Sequence, residues 1–95
     1  MAITVKVIGD LRRFAVNDVV ELEPGASGGL DLGAAVGEFV RMNPELATEL
    51  FDEQGRLHYT SLLILNGRSA AWPQDKDKSV EDGAEVVLTR FFSGG

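Results

Sequence analysis

The chain has 95 residues, no cysteine, one histidine and a formal net charge of −6. Its length fits one domain, and 44% hydrophobic with 25% charged residues is the balance of an ordinary globular protein. Without cysteine there is no disulfide, thiolate metal site or cysteine nucleophile, and His58 alone cannot build a multi-histidine site, so no metal is expected. The acidic balance argues against nucleic acid as a partner, since that role needs clustered Lys and Arg. No apolar run approaches the ~20 residues of a membrane span, and the start MAITVKVIGD lacks the features of a secretory signal. The expected setting is cytoplasmic, with no membrane partner.

Ile3 to Val7 alternates with period two and is β-branched, so it predicts a strand. Gly9-Asp10 begins a turn, Leu11 to Ala15 lies in the connection, and Val19 to Glu23 predicts a second strand that completes a hairpin. Pro24 to Gly29 reads as a loop. Asp31 is placed to cap a helix whose apolar face is Leu32, Ala35, Val36, Phe39 and Val40. Gly33 and Gly37 lower its propensity by ~1 kcal/mol each relative to Ala, which tertiary packing must offset. Asn43-Pro44 stops that helix or starts a short second piece carrying Leu46 and Leu50.

Asp52 to Arg56 is a polar loop. Leu62 to Leu65 is a continuous apolar run and predicts a strand covered on both faces. Asn66-Gly67 is a strong signal for a type I′ hairpin turn, because both central positions need positive φ. Arg68 to Trp72 is the predicted return strand, Pro73 to Lys78 a loop, Glu81-Asp82-Gly83 a turn, and Glu85 to Phe91 the last strand. Ser93-Gly94-Gly95 is expected to be a mobile end. The order allows the first and last strands to lie parallel at the centre of one sheet. This is an α+β, β-grasp (ubiquitin-like) arrangement, a mixed sheet of about five strands with one main helix across one face. The expected division is a β-grasp domain over 1–92 and a flexible diglycine tail over 93–95.

Leu65-Asn66-Gly67-Arg68, then Val80-Glu81-Asp82-Gly83-Ala84-Glu85-Val86, then Ser93-Gly94-Gly95 together resemble the ubiquitin-like sulfur carriers. That family includes the molybdopterin synthase small subunit and the thiamine-pathway carrier. Leu11-Arg12 resembles the molybdopterin group, and Gly55-Arg56-Leu57-His58 resembles most closely the actinobacterial carrier that serves cysteine synthesis. The resemblance implies that an ATP-using activating enzyme of the ubiquitin-activating type adenylates the terminal glycine carboxylate. A sulfur donor then makes the thiocarboxylate, and a biosynthetic enzyme accepts the sulfur. It implies no bound cofactor, with ATP used by the activating enzyme. The chain would be a carrier and not itself an enzyme. Where molybdopterin-type carriers approach the diglycine through a proline-containing segment, this chain has Thr89-Arg90-Phe91-Phe92-Ser93, so the recipient is left open among molybdopterin, thiamine, cysteine and thio-metabolite synthesis.

On that reading the reacting group is the Gly95 carboxylate, and Gly94 lets the backbone enter a narrow channel because neither residue carries a Cβ. Phe91, Phe92 and Ser93 are the expected partner-binding residues, with one Phe turned outward as an anchor. Two rivals share the fold: a protein modifier joined to lysines through the same tail, and a β-grasp interaction module with no tail chemistry. Other features read more plainly. Gly25 to Gly29 lacks a P-loop lysine, and Asp31 occupies the helix start that a phosphate would need, so it is a loop. His58 is a loop histidine with no nucleophile pattern beside it. Trp72 either caps the hairpin or anchors a partner. Arg12, Arg13 and Arg68 are solvated surface before they are a basic patch.

Overall fold

The structure is a computed structural model that describes residues 2–24 and 29–90. Strands β1 (Ile3–Val7) and β2 (Val19–Leu22) form the expected antiparallel hairpin, joined through a short 3-10 helix (Gly9–Phe14). Strand β3 (Gly29–Asp31) leads into helix α1 (Leu32–Met42), and α2 (Pro44–Leu50) follows at once. Strands β4 (Ser61–Leu65), β5 (Arg68–Ala70), β6 (Ser79–Glu81) and β7 (Glu85–Arg90) complete the order. The main sheet runs β2-β1-β7-β4-β5, with β1 and β7 parallel at its centre and the other pairs antiparallel. This is the mixed five-strand sheet with one main helix across a face that the chain order implies.

Local chemistry accounts for most of these elements. The Asp31 carboxylate accepts from the Ala34 amide at 2.7 Å, capping α1 as its position predicts. Leu32, Ala35, Val36 and Phe39 then bury one face of α1 against the inward side chains Ile3, Val5, Val7, Leu63, Val86 and Leu88. At ~25 cal/mol per Å² of apolar surface, each of these residues larger than Ala35 contributes about 1.5–3 kcal/mol. Asn66 (φ 51°) and Gly67 (φ 82°) both take positive φ, as a type I′ turn demands. The Asn66 side-chain oxygen also accepts from the Glu85 amide at 2.9 Å, tying this hairpin to β7.

Three readings of the sequence are corrected. The apolar run Leu62–Leu65 is not covered on both faces. Leu63 is buried, but Leu62 lies on the side away from the helices and is exposed. The return strand ends at Ala70, because Trp72 turns away to pack on Phe51 (ring centroids 5.6 Å) and to donate its indole N–H to the Gly55 carbonyl at 3.2 Å. Gly29 is not loop but the first residue of β3, which pairs with β6 in a separate two-stranded sheet. Three residues a side give too short a period to read from sequence, and their partners lie far apart in the chain.

The junction of the two helices turns on Asn43, which is fully buried. Its side-chain oxygen accepts from the amides of Val16 (2.9 Å) and Asn17 (2.8 Å), and its side-chain nitrogen donates to the carbonyls of Asn17 and Phe39, both at 3.0 Å. One amide group thus satisfies four backbone groups and fastens the segment before β2 to the α1–α2 corner. Pro44 then opens α2 at a position where its missing N–H leaves no bond unmade.

Candidate functional site

The residues expected to react or to touch a partner, Phe91, Phe92, Ser93, Gly94 and Gly95, lie outside the described residues, as does most of the Gly25–Gly29 loop. What the structure places is the platform from which residues 91–95 continue. Strand β7 is central, and its last described residue is Arg90.

The two faces of β7 differ. Val86, Leu88 and Arg90 point toward the helices, while Glu85, Val87 and Thr89 point to the open side. The register sets Leu62 beside Thr89 and Ile64 beside Val87, with Lys6 on the other flank of Val87. Val87 is buried yet stands apart from the core cluster. Exposed Leu62 and Ile8 lie with Thr89 at the end of the sheet from which the chain continues past Arg90; the Thr89 hydroxyl meets the Ile8 carbonyl at 3.5 Å. Lys6 and Glu85 form an ion pair (3.1 Å) farther along the same face. Sequence reasoning missed this apolar strip because it read Leu62 and Ile64 as core. Period-two alternation with β7 would have found it only once the sheet order was known.

On the helix side, Arg90 meets two carboxylates. Its Nη2 donates to Asp10 Oδ2 at 2.6 Å and its Nε to the same oxygen at 3.1 Å, while Nη1 donates to Glu49 Oε1 at 3.1 Å. The guanidinium also lies 5.7 Å from the centre of the Phe14 ring. The hydrogen bond from Arg90, aided by its charge, holds the Asp10 carboxyl below the usual carboxylate range against the opposing effect of desolvation. A depressed value means that the stability contributed by this carboxylate is present above the ordinary Asp value of about 3.9 and is lost as pH falls through the folded value. Asp10→Asn should therefore flatten part of the acid limb. The wild-type chain should lose its advantage over the variant as pH is lowered from about 5 to about 2, read from urea midpoints at each pH. A gap between the two that stays constant over that range would contradict the pairing.

The remaining residues singled out from the sequence sit apart. His58 borders a shallow depression with Ala47, Thr48, Phe51, Asp52 and Glu53, where the Thr48 hydroxyl is engaged with the Glu45 carbonyl. Arg12 pairs with Asp18 (3.4 Å), and Arg13 lies 5.1 Å from the centre of the Phe14 ring. Arg68 follows the turn at the opposite end of β4, so the three arginines form no common patch. Among the described residues no three His, Cys, Asp or Glu side chains converge as a metal ion would require, and no helix is long and apolar enough to cross a membrane.

The architecture defines a ubiquitin-like β-grasp protein. No family model and no curated protein sequence matches the chain. Among solved structures it is similar to small archaeal modifier protein 1 (SAMP1) of Haloferax volcanii, at 25% identity over all of both chains and a TM-score of 0.80. It is also similar to Urm1 of Trypanosoma brucei, at 23% identity over 99% of this chain and 95% of that one, with a TM-score of 0.75. A Pyrococcus furiosus protein provisionally assigned as molybdopterin converting factor subunit 1 aligns at 21% identity over 97% and 99%, with a TM-score of 0.66. The chain thus resembles the ubiquitin-like sulfur carriers and modifiers in structure.

Proposed function

We propose that this chain is a sulfur carrier that works through Gly95, in the form in which that residue bears the free carboxylate. The observation that carries the reading is the position of the diglycine. It follows a central β-grasp strand, described to Arg90, by a handful of residues and lies beyond Leu88, the last core residue among the described ones. The resemblance to carrier and modifier structures supports it further. The activating enzyme brings ATP. A Gly95 carboxylate oxygen attacks the α-phosphorus, the bond to pyrophosphate breaks, and an acyl adenylate forms. A hydrosulfide equivalent then attacks the acyl carbon, and AMP leaves with the electron pair of the carbon–oxygen bond. The resulting thiocarboxylate is a soft nucleophile held covalently, so the sulfur reaches an accepting biosynthetic enzyme without being released. The chain itself catalyses neither step.

Ordering five tail residues in the activating enzyme costs roughly 1–2 kcal/mol each. Burying about 300 Å² of apolar surface at ~25 cal/mol per Å² would offset about 7 kcal/mol of it. On this reading the exposed Leu62 and Ile8 with half-buried Ile64, at the end of the sheet where β7 is last described, supply this area together with Phe91 or Phe92. The recipient pathway is one of molybdopterin, thiamine, cysteine or thio-metabolite synthesis.

A second reading has its own support in the modifier name of the Haloferax neighbour. In that reading the same adenylate passes to lysines of target proteins. Intact-mass analysis of the chain isolated from its native host separates the two. A sulfur-for-oxygen exchange on the C-terminal peptide is the expected result. Isopeptide-linked adducts with no exchanged form would replace the carrier reading by the modifier one.

A further inference from the structure

Among the described residues, the ladders on β7 end at Leu88 on the β1 side and at Arg90 on the β4 side. The parallel pairing with β1 covers Glu85 to Leu88 only, and β4 starts at Ser61, directly opposite Arg90. Among the described residues, the backbone bonding of β7 to the β1 side ends with the hydrogen bond from the Ile8 amide to the Leu88 carbonyl (3.1 Å), followed by the long contact of the Thr89 hydroxyl with the Ile8 carbonyl. A strand end with one ladder is the part of a sheet most prone to local opening. At that rung the Arg90 side chain adds ties to remote segments. It is tied at once to Asp10 in the 3-10 helix and to Glu49 in α2, residues distant from it in the chain. The three side chains are only 19%, 25% and 32% exposed, so salt screens them less than a free surface pair.

We infer that Arg90, clamped by Asp10 and Glu49, is a positioning residue for the reaction at Gly95. The inference rests on the sulfur-carrier reading. The clamp fixes the last described rung of β7, so the segment that carries Gly95 is tethered from a held residue. Released, β7 can open back toward Leu88, and Thr89 and Arg90 join the segment to be ordered. A longer tether also lowers the effective concentration of its end. Both losses fall equally on the bound complex and on the transition state, so they raise KM and spare kcat.

The test compares Arg90→Gln with the pair Asp10→Asn and Glu49→Gln, which leaves Arg90 in place but unheld. ATP–pyrophosphate exchange with the activating enzyme from the same host should show KM raised about tenfold in both, with kcat within about twofold of wild type. Combining all three changes should add little, because they remove one device. Amide hydrogen exchange at the Thr89 and Arg90 rungs should speed up about tenfold in both, with Val5 and Val86 unchanged. If Arg90→Gln raises KM while the Asp10/Glu49 variant stays at the wild-type value, Arg90 touches the enzyme directly and the clamp is overturned. Unchanged exchange at Thr89 and Arg90 would overturn it as well. A wild-type chain that the enzyme does not activate would sink the sulfur-carrier reading, and the positioning role with it.

Discussion

Removing Gly95 should reduce thiocarboxylate formation by about a thousandfold or more while leaving the fold untouched. The deletion leaves a carboxylate on Gly94, so the chemistry of the group is unchanged. Only its place is lost, since each residue spans at most about 3.3–3.6 Å of extended chain. A misplacement of 1 Å at a reacting atom already costs on the order of 100-fold, so one whole residue is beyond what the active site can follow. Gly94→Val should act through the opposite fault. The length is kept, but a branched Cβ enters a channel shaped for bare backbone and closes the dihedrals that only glycine adopts freely. Among the described residues the core runs from Ile3 to Leu88, and on the carrier reading the tail adds nothing to it, so the urea midpoint of both variants should match wild type. The measurement is the loaded fraction by intact mass after incubation with ATP, the activating enzyme and a sulfur donor. Loading of the shortened chain at the wild-type rate would end the proposal, because the reacting group would then lie elsewhere.

Asn43→Ala should destabilise the domain by about 3–5 kcal/mol. The substitution strands the buried Phe39 carbonyl and the part-buried Val16 and Asn17 amides and Asn17 carbonyl; a buried group left unsatisfied costs about 1–3 kcal/mol, and water recovers part of the cost at the part-buried ones. Total stabilities of about 5–15 kcal/mol make this a loss of a large share of the fold. Asn43→Asp sharpens the test. One oxygen keeps the two amides, but the second oxygen faces two carbonyls, so the carboxyl is favoured in its protonated, donating form and its folded pKa rises. Stability of that variant should be greatest below the unfolded Asp value of about 3.9 and fall as pH rises through the folded value, the reverse of the Asp10 effect. Urea denaturation across pH checks both. A loss under about 1 kcal/mol for Asn43→Ala would mean that the corner holds without its amide.

The contrast between Asn43 and Asp31 shows what could be read in advance. Both are helix-boundary residues in the sequence. Asp31 caps the amide three positions on, so its role lies within one turn and is visible locally. Asn43 marks the end of a helix just as visibly, but its partners Val16 and Asn17 lie across the molecule, and nothing in the local pattern points to them. Leu62 shows the same limit in reverse. An apolar run is the same string of residues whether its second face meets a helix or solvent, so reading it as doubly covered was open to error until the sheet was assembled.

By itself, the sequence determined the features governed by neighbours in the chain. These are the period of β1, the apolar face and cap of α1, the positive-φ turn at Asn66-Gly67, and a diglycine placed just after a final strand. Only the tertiary structure decided which distant groups meet: the β3–β6 ladder, the open strip around Leu62 and Val87, the Asn43 corner, and the grip of Asp10 and Glu49 on Arg90. The physical reason is range. Periodicity and turn preferences act over a few residues, whereas ladders and ion pairs between remote segments exist only once the hydrophobic core has brought β1, β7 and the helices into one body.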